Sequence, residues 1–450
     1  MTISAAEQYM LELINRARLD PAAEALRLGI TLNQGLAANT LGEQVRQVLA
    51  PSESLELAAI AHSKWMLDTD VFSHTGAGGT SPGQRATAVG YAWNRAGENI
   101  AWQGSTAAIS ENVMIAAHHD ALFRSAGHRV NLLQDTYREV GIGQELGLFK
   151  QGAYNFNASM VGQLFGVSGN AAFVTGVAYN DTNADRFYSI GEGRAGVTFA
   201  AQGVSDTTEA PGGYAIKLAA SAAVAITGSV GDMAFSAAVG LDKGNVKLDV
   251  VDGKTFYSSG DITLGTGIND VRLIGMASMK ATGNDANNVI NGNKGASILD
   301  GAGGNDYITG GRGADQIFGG TGNDSVYGGS GADTINGGDG DDFIFGGLGA
   351  DRLTGGAGGD VITGGTELDT FIFQNGCGRD SVADYSLRSR EVLLFDDALW
   401  EGRVLNESQV VAQFGRVIAG NVVFDFGAGD VVTLTGIRSL SGIASMIDII

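Results

Sequence analysis

The sequence predicts a multidomain chain: an α+β domain, a small antiparallel β-sandwich, a long repetitive β segment and a C-terminal β segment. Three observations carry this. Helical apolar spacing is concentrated before residue 168, short β runs broken by turn clusters follow it, and from residue 283 a nine-residue period runs without a slip to residue 372. At 450 residues the chain is long enough for several separate cores. A formal charge of −21 excludes nucleic acid and anionic membrane surfaces as partners and favours cations. No stretch approaches the roughly 18 apolar residues of a membrane-spanning helix, so no transmembrane segment is expected. With one cysteine, Cys377, no intrachain disulfide can form.

Residues 1–168 form the first domain. Ser4 and Glu7 have capping-box spacing ahead of Met10, Leu13, Ile14 and Ala17, and Asp20-Pro21 ends that helix. "SESLELAAIAHSKWMLDT" predicts a second amphipathic helix and residues 107–124 a third. "REVGIGQEL" and "ASMVGQLFG" predict strands. All five histidines lie here. His62 reads as a packed helix residue among Leu55, Ala58, Ala59 and Met66, and the adjacent His118 and His119 read as structural.

Residues 169–230 alternate short β runs with turns. Within them, "NDTNADRFYSIGE" places Asp181, Asn183, Asp185, Phe187 (through its backbone), Ser189 and Glu192 at positions 1, 3, 5, 7, 9 and 12 of an EF-hand-type calcium loop. Arg186 stands where that loop has glycine, and the alternative is an Asx-rich surface turn. Residues 231–282 read as a β-rich connector.

Residues 283–372 make ten nine-residue units, such as GGSGADTIN and GGDGDDFIF. The eighth place is always apolar. The sixth is aspartate in the last eight units: Asp306, Asp315, Asp324, Asp333, Asp342, Asp351, Asp360 and Asp369. Asn288 and Ser297 hold that place in the first two, and Glu367 replaces a glycine in the last, which reads as capping turns at both ends. Glycines reach backbone conformations that turn carbonyls inward beside a carboxylate. Calcium takes six to eight such hard oxygens. Residues 373–450 return to β patterning.

The repeats resemble the RTX, or hemolysin-type, calcium-binding repeat G-G-x-G-x-D-x-U-x. The resemblance implies a parallel β-roll in which two units make one coil. Sixth-place aspartates would then stack two units apart, Asp306 with Asp324 through Asp351 with Asp369, around roughly six calcium ions. The tail is similar to those that follow RTX repeats and carry an uncleaved signal for type I secretion. That fits an N-terminus without a basic segment and apolar run, and places the protein outside the cell or on its surface. Residues 169–230 are similar to the B-type modules of bacterial surface proteins.

The fragments "AHSKWMLDTDVFSHTG", "GYAWNRAGENIAWQG", "SAGHRVNLL" and "YREVGIG" resemble the CAP superfamily (SCP/PR-1-like) in its disulfide-free form. The resemblance implies a shared cleft walled by His74, Glu98 and His128, in which relatives hold a divalent ion with a second acid. That second acid is missing, with Asp120 as a substitute. Two histidines and a carboxylate are a legitimate zinc set and equally a general acid/base set. They could also hydrogen-bond the loops that close the cleft. Three functions follow: a binding module for an extracellular lipid, glycan or protein, a metal-assisted hydrolase, and a structural or adhesive surface protein. Binding stands ahead of catalysis.

Overall fold

A computed structural model describes residues 3–450, which divide into two compact units, one ending at Gly260 and one beginning at Asp261. The first unit starts with helix α1 (Ala5–Leu19). Ser4 Oγ accepts the Glu7 amide, and Glu7 Oε2 accepts the Ser4 amide at 3.0 Å. Asp20 caps helix α2 (Pro21–Arg27) by accepting the Ala23 amide. Helices α3 (Glu53–Thr69), α4 (Pro82–Ala88), α5 (Glu111–Arg124) and α6 (Ala126–Leu132) complete the set before residue 169.

These helices sandwich a four-stranded sheet. Strand Glu139–Gln151 lies between the parallel Ala50–Pro51 and the antiparallel Tyr154–Val167, which pairs on its other edge with Arg95–Ser105. One face buries Val140, Ile142, Val161 and Phe165 against Met10, Ile14, Ile115 and Phe123. The other meets α3 through Leu164, Met160 and Ile100. Two glycines set that second approach. A Cβ on Gly141 or Gly143 would strike the backbone of Leu55 and Glu56, or of Ala59 and Ile60. The "VGIG" stretch is where a helix lies directly on a strand.

A β-sandwich fills the rest of the unit. Strand Ala172–Tyr179 pairs antiparallel with Gly213–Leu218 and parallel with Val246–Val251. Thr198–Ala201, Val204–Thr207, Val224–Val230 and Met233–Val239 form an antiparallel set. Phe199 stacks on Tyr214 with ring centroids 3.6 Å apart, and Phe235 meets both Phe199 and Phe256 edge-on. Residues 231–260 therefore supply sandwich strands. Lys247 on this sandwich is fully buried and reaches back to α1, with Nζ 2.8 Å from Glu12 Oε2 and bonded also to Asp249 Oδ2. Asn245 Nδ2 donates to the carbonyls of Val48 and Arg138 at 2.9 and 2.7 Å.

The second unit is a parallel β-solenoid. Two stacks of short strands alternate along the chain, and each repeat strand pairs in parallel with the one two units on: Ile308 beside Val326, Ile317 beside Ile335. The eighth-place side chains from Ile290 to Phe371 are all buried between the stacks. The stacking begins before the repeats, because Ile262–Leu264 pairs with Lys280–Thr282 and Asp270–Leu273 with Val289–Asn291. It also outlasts them, through Arg379–Val382, Val392–Phe395, Asp430–Leu434 and Ile447–Ile449. The units holding Asn288 and Ser297 are thus interior coils, which corrects the expectation that they cap the roll. Glu367 does take the left-handed backbone of the glycine it replaces, at φ 76°. In the tail, α7 (Glu407–Phe414) and a hairpin, Gly415–Ile418 with Asn421–Gly427, pack Trp400, Phe414 and Phe426 together. Among the described residues no helix is long and apolar enough to cross a membrane.

Candidate functional sites

The roll's loops treat the two oxygens of each sixth-place aspartate differently. Oδ1 accepts the backbone N–H of the sixth-place residue one coil earlier: Asp324 from Asp306, Asp333 from Asp315, Asp342 from Asp324, Asp351 from Asp333, Asp360 from Asp342 and Asp369 from Asp351, all at 2.7–2.9 Å. Asp306 and Asp315 accept likewise from Asn288 and Ser297. Oδ2 of all eight is buried with no hydrogen-bond partner among the described residues. A Cβ on Gly328 would lie 2.5 Å from both Asp333 Oδ2 and the Gly346 carbonyl oxygen. Carboxylate and carbonyl oxygens thus converge on space that only glycine leaves open. Burial, with neighbouring carboxylates adding to it, raises Asp306, Asp342 and Asp351 to about 7 and Asp315 to about 6. A buried carboxylate with one idle oxygen and no counter-charge calls for a cation or a proton.

The loop of residues 181–192 is arranged otherwise. Asp181 Oδ1 and Asn183 Oδ1 accept the Asp185 amide, Asp181 Oδ2 the Arg186 amide and Asp185 Oδ1 the Phe187 amide. Glu192 Oε2 accepts from Ser189 N at 2.8 Å, and Oε1 from the Thr182 amide and hydroxyl. Ala184 and Arg186 are left-handed, at φ 58° and 63°. The side chains of positions 1, 3, 5 and 12 therefore fold inward on the loop's own amides. Arg186 adopts the conformation glycine would have taken, and its side chain is free to do so in an exposed turn.

In the first domain, Glu98 is buried on its strand with three bases around it. Oε2 lies 2.8 Å from His74 Nδ1 and 4.0 Å from His62 Nε2, and Oε1 is bonded to Arg85 Nη2. A carboxylate only accepts, so His74 donates through Nδ1, and Nε2 is the nitrogen left over on its half-exposed ring. Arg85, on α4, also donates to the carbonyls of His74 and Thr80 at 3.1 and 2.8 Å, tying the loop before α4 to Glu98. His128, on α6, is half-buried, and burial with His74 nearby lowers its pKa. Asn99 donates to the His128 carbonyl, and Asn131 to the Glu98 carbonyl, both at 3.2 Å.

Comparison with known families matches residues 11–146 to CAP, the cysteine-rich secretory protein family, and four stretches between 282 and 371 to the RTX calcium-binding nonapeptide repeat. The chain carries a CAP domain and an RTX calcium-binding repeat segment. No curated protein matches it. Among solved structures it is similar to an extracellular protein containing a SCP domain from Bacillus anthracis str. Ames, at 27% identity, over 27% of this chain and 35% of that one, with a TM-score of 0.21. It is similar to an outer surface protein from Borrelia burgdorferi (22% identity; 26% and 76% of the two chains; TM-score 0.20). It is also similar to extracellular lipase LipA from Serratia marcescens (21%; 39% and 40%; 0.20). The chain spans about a third of the first of these.

The RTX loops fit calcium, since each offers an idle buried carboxylate oxygen beside inward carbonyls. The CAP cleft does not fit the ion its family implies. Both Glu98 oxygens are engaged, and a cation brought to them would face the Arg85 guanidinium. Asp120, the substitute acid, instead pairs with Arg27 of α2. Among the described residues no group of three or more His, Cys, Asp or Glu has metal-holding geometry. His62 is buried and stacked on Trp65, its Nε2 donating to the Ser73 carbonyl at 2.9 Å. His118 and His119 are buried on Ser159 and Glu24. Arg85 and Asn99 escaped the sequence reading. Asn99 follows Glu98 in the same "GEN" fragment, but Arg85 lies in "SPGQRATAVGY" with no fixed spacing to it. Glu98→Gln should spread the His74 ring proton over both nitrogens, read from imidazole ¹⁵N shifts. Unchanged shifts would mean that Glu98 does not orient the ring.

Proposed function

We propose that this is an exported calcium-binding protein whose RTX roll folds on extracellular calcium and whose CAP domain binds an extracellular lipid, glycan or protein through the His74–Glu98–Arg85 cleft. The eight idle, buried Oδ2 atoms carry the reading, because a row of carboxylates so placed is stable only when neutralised. Calcium is scarce in cytosol and plentiful outside, so folding would report location. The similarity of the tail to segments that follow RTX repeats supports export through a type I secretion system. A second, smaller contribution comes from the 181–192 loop, whose Asp181, Asn183, Asp185, Ser189 and Glu192 oxygens lie within one turn and would take an ion by exchanging amides for it.

Metal-assisted hydrolysis is the weaker reading, since Glu98 is held by Arg85. The cleft offers the second ring nitrogen of His74, a guanidinium and His128, which suits recognition of a polar headgroup or sugar. Measuring bound calcium at saturation in the full chain tests the central reading. Roughly six ions from the stacked aspartates are expected, and a chain that takes up none at millimolar calcium would end it. His128→Ala should weaken ligand capture by the CAP domain while leaving the calcium count unchanged.

A further inference from the structure

One row of carboxylates does not stop where the nine-residue period stops. Asp369 is the last aspartate in phase, and the next in line, Asp380, comes eleven residues later. Residues 376–382, GCGRDSV, nevertheless restore the order G-x-G-x-D-x-apolar after a two-residue slip. The structure treats them as one more unit. Asp380 Oδ1 accepts the backbone N–H of Asp360 at 3.1 Å, as Asp360 Oδ1 accepts that of Asp342 at 2.8 Å. Strand Arg379–Val382 pairs in parallel with Val361–Thr366, and Val382 is buried in the eighth-place position. Gly378 is left-handed at φ 80°, and a Cβ there would strike the Gly358 carbonyl. Asp360 and Asp380 are 1% and 2% exposed, and Oδ2 of each has no hydrogen-bond partner among the described residues.

We propose that Asp360 and Asp380 hold one further calcium-class cation, outside the matched repeats, with backbone carbonyls of the adjoining loops as its remaining oxygens. The proposal rests on the reading of the roll as a calcium binder. What it adds is a fastening for the tail. The loop carrying Asp380 is itself bound by Asp430, which accepts the amides of Gly376 and Gly378, both at 3.0 Å. Strand Asp430–Leu434 then lies in parallel against Arg379–Val382. The ion would join the last regular coil to a segment that folds back from about fifty residues downstream.

The test compares the calcium content of the full chain at saturation for the wild type and Asp380→Asn. Asparagine is tolerated at the opposite end of this same row, where Asn288 stacks under Asp306. The expected result is one ion fewer, an unchanged β signal, and new protease cleavage within residues 383–450. An ion count equal to that of the wild type overturns the proposal while leaving the roll's calcium intact. A wild type that binds none overturns both. If Asp380→Asn fails to form the roll, terbium-soaked crystals of the wild type decide through anomalous scattering. A peak between Asp360 and Asp380 supports the site, and its absence beside occupied repeat sites rejects it.

Discussion

In excess chelator the unit from Asp261 to Ile450 is expected to lose its β structure, while residues 3–260 remain folded. The solenoid spends one to four glycines per unit, three in most, and buries one apolar side chain in return. Glycine gives up the most backbone entropy on ordering, and a single buried aliphatic contributes only about 1.5–3 kcal/mol. Against that stand eight buried carboxylates in stacked rows. The first unit has helices on both faces of its sheet and an aromatic sandwich core, none of which depends on the roll's acids. Limited proteolysis with mass analysis should therefore give a surviving fragment ending near residue 260 in chelator and an intact chain in calcium. Equal protection of both units in chelator would reject this.

The same carboxylates set a pH dependence. Their ion-free folded pKa values, about 6 to 7 for Asp306, Asp315, Asp342 and Asp351, lie above the ordinary value near 3.9. Between roughly pH 4 and 7 the ion-free folded roll therefore binds more protons than the unfolded chain. Its stability is fully present below about pH 4 and is lost as pH rises through 6 to 7. Acid should thus partly rescue the chelated roll, whereas in limiting calcium acid should weaken ion uptake by competition.

Lys247→Ala is expected to destabilise the first unit by about 3–5 kcal/mol, the usual cost of breaking a buried ion pair from one side. Lys247 sits between Glu12 of α1 and Asp249 of its own strand, and all three are fully buried. The two carboxylates outweigh burial and hold the ammonium charged. Burial in turn raises both acids, which only Lys247, Gln8 and the Val177 amide offset. Without the lysine two acids would face each other inside the protein. Denaturant unfolding in saturating calcium, followed by CAP-domain tryptophan emission, measures the loss. A change below about 1 kcal/mol would place the triad in contact with water. The lysine also means that the helical layer and the sandwich unfold together, because Glu12 belongs to one and Lys247 to the other.

What could be read in advance depended on how local each signal was. The roll was legible because its period is local: every isoleucine in the eighth place repeats a decision made nine residues earlier. Its extension past residue 372 was not, since two extra residues before Gly376 shift GCGRDSV out of phase although its spatial place is unchanged. The fifth place held a further hint. It alternates between Asn287, Asn305 and Asn323 in one set of units and Ala296, Ala314 and Ala332 in the other. The asparagines form an exposed ladder in which Asn287 and Asn305 each accept the amide of the residue one coil on. The CAP cleft was legible to the extent of His74, Glu98 and His128, whose fragments are short and distinctive. Arg85 was not, because an arginine on a seven-residue helix has no pattern until the fold brings it to Glu98. The ends of the sandwich were hidden for a similar reason: "NVKLDVV" becomes a central strand only through partners about seventy residues away.

Each sixth-place aspartate completes the loop of the coil before it, never the one after. Asp324 serves Asp306, Asp342 serves Asp324, and Asp380 serves Asp360. The roll consequently has a sense of order. A coil's sixth-place amide is satisfied only once the next coil in its row exists, whereas the fifth-place ladder runs the other way, with Asn287 and Asn305 each accepting from the coil after them. Loss of one carboxylate therefore frees the sixth-place amide of the coil before it in the same row, and leaves the amides of the later coils held.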